Sequence, residues 1–192
     1  DPAQLKVWHS ALERLQRAGA RLYKVDLPIL QEVRTQRCLS LSEFNVAING
    51  WLRRQKNGLA SLKAIVDSGE CLAEFLPLMV QMQLATSLKT PQWLEGRRFQ
   101  RRVNQALAAT AEAYGIDAFV YPTVCRQPTG LEKMPPGCAP ELAAMSGLPA
   151  ITLPCGQVEQ GLPVGLELLT PRRDERFLLS LALGCETVFD AA

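Results

Sequence analysis

Residues Ser146–Pro171 read SGLPAITLPCGQVEQGLPVGLELLTP, and this stretch decides the fold. Pro149 and Pro154 are expected to set the limits of one short strand, because neither can donate a ladder hydrogen bond. A second strand is expected over Leu162 to Leu169. With side chains alternating between faces, Val164, Leu166 and Leu168 share one face, and Gly165 leaves the other open to a close approach. The residues between, Pro154 to Gly161, include Gly156 and Gly161 and suit a hairpin connection, although a longer one than the tightest turns.

Reading upstream, Ile116 to Tyr121 is a further strand-like run, stopped by Pro122. The segment from Arg126 to Pro140 holds four prolines and two glycines, which reads as a long irregular loop of the kind that shapes ligand sites. A helix is expected from Gln92 to Tyr114. On a helical wheel Phe99, Val103, Ala106, Leu107 and Tyr114 form an apolar arc, and Arg97, Arg98, Arg101 and Arg102 lie on the opposite side as a solvated face or a surface for an anionic partner. The region from about 29 to 114 is mostly helical, its clearest earlier pieces being Leu41 to Arg54 and Leu59 to Asp67, with turn signals at Asn57-Gly58 and Ser68-Gly69. Ala20 to Asp26 suits a strand ended by Leu27-Pro28. Asp1 to Ala18 is an amphipathic helix carrying Leu5, Trp8, Leu12 and Leu15, with Asp1 and Gln4 resembling a capping box and Pro2 at the first helical position. Downstream, Phe177, Leu181, Cys185 and Val188 mark one face of a last helix with Asp174 as its cap. Strands alternating with helices make this an α/β chain, a mixed sheet flanked by helices.

The whole has 192 residues, 47% of them hydrophobic, with 21 basic and 19 acidic side chains and a formal charge of +2. A chain of this length can bury a core without disulfides or metals. Its charge is far from that of a domain built to bind a phosphate backbone, so no nucleic acid is expected as partner. The longest apolar stretch, Leu72 to Val80, is interrupted by Glu74 and Pro77 and falls short of the ~18 residues a membrane span needs. Asp1-Pro2-Ala3 shows no secretory leader. Six scattered cysteines without a C-x-x-C pair read as reduced thiols, and the expected location is the cytoplasm.

Self-contained catalytic motifs are missing from the sequence: no G-x-S-x-G elbow, no S-x-x-K, no H-E-x-x-H and no glycine-rich phosphate loop. Cys125 and Cys155 each follow an expected strand, yet neither has a neighbouring histidine or lysine to activate it, so both read as structural thiols. The one histidine, His9, lies near the edge of the first helix's apolar stripe and reads as a partly exposed packing residue.

SGLPAITLPCG and GLPVGLELLTP, followed by Asp174-Glu175 and a leucine-rich helix, resemble the end of the amidase signature family. Asp117 to Thr123, DAFVYPT, resembles the family's strand ending in Pro-Thr, and Gly19 to Pro28, GARLYKVDLP, resembles an earlier element in which a strand lies between Gly-Ala and Leu-Pro. The resemblance spans essentially the whole chain. It implies that residues 1–192 form the C-terminal part of an amidase domain. Family members use a Ser-Ser-Lys triad and a glycine-rich oxyanion hole, in which a serine attacks the amide carbonyl and water then cleaves the acyl-enzyme. This sequence has no such Gly/Ser-rich stretch, so no catalytic residue carries over, and neither a metal nor a cofactor is implied. Within a complete enzyme these residues would supply sheet core and one wall of the pocket for a small amide. Thr123, Cys125, Met145 and Ser146 are its candidate substrate-binding residues. The N-terminal amidase portion or self-association is expected to cover the exposed sheet. Two other readings stand beside this one: a non-catalytic interaction module derived from an amidase, and part of a glutamine-dependent amidotransferase A-type subunit.

Overall fold

The computed structural model describes all residues except 36–38, 56–57, 127–141, 160 and 191–192. Cys38, Cys138 and nearly all of the irregular loop expected over Arg126 to Pro140 therefore lie outside the described residues. The chain divides into two compact units: Asp1–Thr35 with Arg101–Ala192, and Gln36–Gln100.

The first unit holds α1 (Pro2–Arg17), α2 (Ile29–Thr35), β1 (Phe119–Pro122), α7 (Leu142–Ser146), β2 (Ala150–Gln157), β3 (Pro163–Leu169) and α8 (Glu175–Asp190). The second holds α3 (Ser40–Leu52), α4 (Leu62–Asp67) and α5 (Leu76–Gln83), and α6 (Pro91–Tyr114) has residues in both.

The three strands form an antiparallel sheet in the order β1-β3-β2, with Phe119 and Ala150 both opposite Leu169, and Pro122 and Leu153 both opposite Leu166. The central strand is the one expected over Leu162 to Leu169. Two expected boundaries differ. β2 runs through Pro154 to Gln157, with a bulge between Pro154 and Gly156. Thr170 N–H donates to Pro149 C=O at 3.1 Å, which in an antiparallel ladder turns alternate residues 151 and 153 toward β3 and puts the missing N–H of Pro154 on the free edge, where it costs no ladder bond. β1 starts three residues later than expected, because Ile116 N–H is already engaged by Ala111 C=O (3.0 Å) in closing α6.

A third difference is larger. Ala20 to Asp26 forms no strand: Leu22, Tyr23 and Val25 suit one, but among the described residues no strand pairs with it. α7, in turn, was not apparent from periodicity; it is five residues long.

The core of the first unit lies between one sheet face and two helices. Leu153, Cys155, Val164, Leu166 and Leu168 meet Ala11 and Leu15 of α1 and Leu178, Ala182 and Phe189 of α8. Asp1 caps α1, its carboxylate accepting from Ala3 N–H at 2.8 Å and Gln4 N–H at 3.4 Å. The buried stripe of α1 is rotated from the expected one, since Gln4 and Ala11 are buried and Leu5 is exposed. On α8 the buried line is Leu178, Ala182 and Phe189, with Phe177, Leu181, Cys185 and Val188 half-buried along it, and Asp174 caps the helix by accepting from Phe177 N–H at 3.1 Å.

Gly156 has φ +152°, and a Cβ there would stand 2.7 Å from Val7 Cγ1, so α1 reaches the bulge only because that position is glycine. Arg14 joins three elements: its Nη1 donates to Phe189 C=O at 3.4 Å, its Nη2 donates to Cys155 C=O, and its guanidinium lies 5.1 Å from the Phe189 ring centre. A cation at the C-terminus of α8 also suits the negative end of that helix.

In the second unit Asn45, buried on α3, donates to the carbonyls of Gln83 (3.0 Å) and Ala85 (3.1 Å) and accepts from Asn49 at 2.8 Å, while Asn49 accepts from Leu62 N–H at 2.7 Å. These amides satisfy the backbone ends of α4 and α5. α4 starts at Leu62 rather than Leu59, because Ser61 is the residue that caps it, accepting from Ala64 N–H at 3.1 Å.

Along α6, Phe99, Val103 and Leu107 are buried and Arg97, Arg98, Arg101 and Arg102 are exposed, as their spacing predicts, while Ala106 is only half-buried and Ala111, outside the expected arc, is buried. Tyr114, the last residue of the helix, is exposed rather than on the apolar arc.

Candidate functional site

The sheet face turned away from α1 and α8 carries a connected row of polar side chains. Because Thr123 N–H donates to Gly165 C=O at 3.1 Å, Thr123 continues the β1 register past Pro122 and lies opposite Gly165. Its hydroxyl donates to the Thr152 hydroxyl of β2 at 3.2 Å, which donates in turn to Glu167 Oε2 at 3.4 Å. Tyr121 OH donates to Glu167 Oε1 at 2.7 Å. Residues from all three strands thus converge on one carboxylate.

Gly165 makes this possible. A Cβ at that position would stand 2.7 Å from Thr123 Oγ1 and 3.0 Å from both Thr123 Cβ and Thr152 Cγ2. The two threonines meet across the central strand only because it carries no side chain between them. Burial, then the hydrogen bond and negative charge of Glu167, push the Tyr121 phenol well above its ordinary value, which keeps it a protonated donor at neutral pH.

The four residues singled out from sequence fall into two groups. Thr123 is half-buried in the polar row, and Cys125, two residues on, is exposed. Met145 and Ser146 are buried on α7. The Ser146 hydroxyl donates to Ala143 C=O (3.3 Å) and accepts from Leu148 N–H (3.3 Å), while its carbonyl accepts from Asn104 at 3.1 Å. Thr123 sits opposite Gly165 and Pro149 opposite Thr170, a separation of five strand residues or about 16 Å along β3. The sheet therefore holds Thr123 and Cys125 at one end, and Met145 and Ser146 lead into the other.

Sequence reading missed Tyr121, Thr152 and Glu167. The available signal was the alternation of Gly165 and Glu167 on one face of β3; the register that brings Thr152 and Tyr121 to them is not visible in any single segment.

Other polar groups are tied up structurally or stand apart. The Cys155 thiol is buried in the core and pushed up by that burial, with Arg14 partly opposing the shift. His9 is exposed on α1, with its ring edge-on to Trp8 at 5.4 Å. Among the described residues Cys71, Cys125, Cys155 and Cys185 are free, and no three His, Cys, Asp or Glu side chains gather to hold a metal ion. No helix among them is long and apolar enough to cross a membrane.

Comparison with known proteins supplies the family. The native peptide amidase from Stenotrophomonas maltophilia superposes on 96% of this chain with a TM-score of 0.80 and 28% sequence identity, and the matched part is 39% of that enzyme. An amidase family protein from Bacillus anthracis shares the fold, with a TM-score of 0.69 and 20% identity over 96% of this chain and 35% of its own. The A-type subunit of the glutamyl-tRNA(Gln) amidotransferase from Synechococcus sp. (strain RCC307) is 48% identical over 48 residues, which are 25% of this chain and 10% of that protein. The chain thus spans about two-fifths or less of the length of these relatives. A family model described as Amidase matches residues 1–179, and on that match, together with the fold, this chain belongs to the amidase family.

Proposed function

We propose that this chain is the C-terminal portion of an amidase that hydrolyses a carboxamide by serine acyl transfer, and that it is inactive alone. The observation that carries the reading is the superposition on the peptide amidase over nearly all of this chain and only 39% of that enzyme. The sequence holds no Gly/Ser-rich segment for a nucleophile and oxyanion hole, so both come from the polypeptide that completes the fold. In that enzyme this portion supplies sheet core and one wall of the pocket for a small amide. Thr123 and Cys125 lie on that wall beside the polar row, and Met145 and Ser146 support the segment entering β2. The complete protein works in the cytoplasm.

Glutamine-dependent amidotransferase A-type subunits form a second reading, favoured by 46–50% identity to four such subunits over 42–48 residues.

Fluorophosphonate labelling read by intact mass tests the first reading, since the reagent reports an activated serine whatever the natural substrate. The 192-residue chain is expected to stay unlabelled. A labelled chain would mean that it owns an activated serine and would overturn the incomplete-enzyme reading.

A further inference from the structure

The last helix, α8, buries Leu178, Ala182 and Phe189 in the core and leaves two leucines outside it, Leu179 at 57% and Leu183 at 64% exposure. Arg176, Thr187 and Asp190 of the same helix are exposed as well. At 100° per residue, Leu179, Asp190, Leu183, Arg176 and Thr187 fall within an arc of about 80° on the side away from the buried line.

The two ends of this stripe carry opposite charges at equal distances from its centre. Arg176 stands seven residues before Leu183 and Asp190 seven after it, which is about 10 Å to either side at 1.5 Å per residue. Among the described residues neither is engaged in an ion pair. Seven residues is also the repeat that stays on the seam between two helices crossing near +20°.

We propose that the outer face of α8 pairs with the same face of a second copy of the complete protein, the helices antiparallel and a two-fold axis passing at Leu183. About that axis the two Leu183 side chains meet, Leu179 lies opposite Thr187 of the second copy, Glu186 on the flank comes opposite Ser180, and Arg176 faces Asp190 twice over. Charge complementarity identifies the occupant. The stripe complements its own reverse, as a self-complementary two-fold contact requires. A parallel pair would instead set Arg176 against Arg176 and Asp190 against Asp190, which is repulsive at both ends. α1 packs beside α8 in the same core and exposes Leu5 and His9, which widens the surface. This pairing does not depend on the reaction assigned to the protein.

Sedimentation equilibrium of the product of the gene, expressed from its natural start codon, tests the pairing. That product should be a dimer that dissociates in the micromolar range. Leu183→Glu sets two carboxylates against each other at the axis and should raise the dissociation constant about ten-fold or more. Because Leu183 is exposed in the folded unit, the same substitution should hardly move the melting temperature at concentrations where the parent is monomeric. Arg176→Asp and Asp190→Arg should each weaken the dimer about ten-fold, and the two together should bring it back to within about three-fold of the parent, a rescue that a folding defect would not give.

A complete product that stays monomeric up to about 100 μM overturns the proposal, whether another part of that product covers α8 or the face stays open. A dimer whose dissociation constant is unmoved by Leu183→Glu also overturns it, by placing the interface elsewhere. So does a double variant that associates no more tightly than the two single ones, since the charges would then not face each other across the axis.

Discussion

Replacing Gly165 with alanine would put a methyl group 2.7 Å from Thr123 Oγ1 and 3.0 Å from Thr123 Cβ and Thr152 Cγ2. Unstrained carbon contacts need about 3.5–4.0 Å, so both threonines must yield by roughly 0.5–1 Å. Overpacking of this kind costs about 1–3 kcal/mol. Losing the 3.2 Å bond between the threonine hydroxyls adds about 0.5–1.5 kcal/mol. Against this, alanine restricts the unfolded chain more than glycine does, which stabilises by about 0.4–1 kcal/mol. Because Thr152 is exposed and Thr123 only half-buried, both can rotate away, and the expected net loss is about 1–2 kcal/mol, near the lower end of that range. Urea unfolding followed by far-UV circular dichroism would show a lower midpoint at unchanged slope. The same substitution in a Thr123→Gly background, where two of the three close contacts are gone, should cost distinctly less. A Gly165→Ala midpoint equal to or above that of the parent, or an equal cost in both backgrounds, would refute the argument that this glycine exists to let the threonines meet.

Arg14→Met keeps the apolar stem but leaves the carbonyls of Cys155 and Phe189 without their donor, so stability should fall by about 2–3 kcal/mol in thermal or urea unfolding. Arg14→Lys should not restore it, since a single ammonium cannot span both carbonyls as the guanidinium fork does. Tyr121 titrates above its ordinary value of 10.0 in the folded chain, so the folded state keeps a proton that the unfolded state releases; the stability it contributes is complete below about pH 10 and declines as pH rises above it. Melting temperatures from pH 8 to 11 should therefore fall at the alkaline end, and fall less in Tyr121→Phe; an unchanged slope in that variant would remove Tyr121 as the cause.

Much of the architecture is legible in local patterns. The spacing of Phe99, Val103 and Leu107 places α6 and assigns its arginines to solvent, Asp1 and Asp174 announce the starts of two helices, and Gly161 precedes the central strand. Periodicity is less reliable about which line of side chains goes inward. On α1 it favours Leu5, yet the helix buries Gln4 and Ala11, because the stripe is set by how α1 lies on β2 and α8 rather than by hydrophobicity alone.

Local composition, side-chain alternation and capping thus determined by themselves, to within a few residues, where α1, α3, α4, α6, α8 and the three strands lie and which family they resemble, because each depends on residues only a few positions apart. The polar row and the fate of residues 20–26 were decided by tertiary structure. Glu167 meets Thr152 across 15 residues and Tyr121 across 46, and those meetings exist only once strand register is set. Ala20 to Asp26 has the residues of a strand, but a strand is completed by hydrogen bonds to a neighbour, and no composition can supply the neighbour.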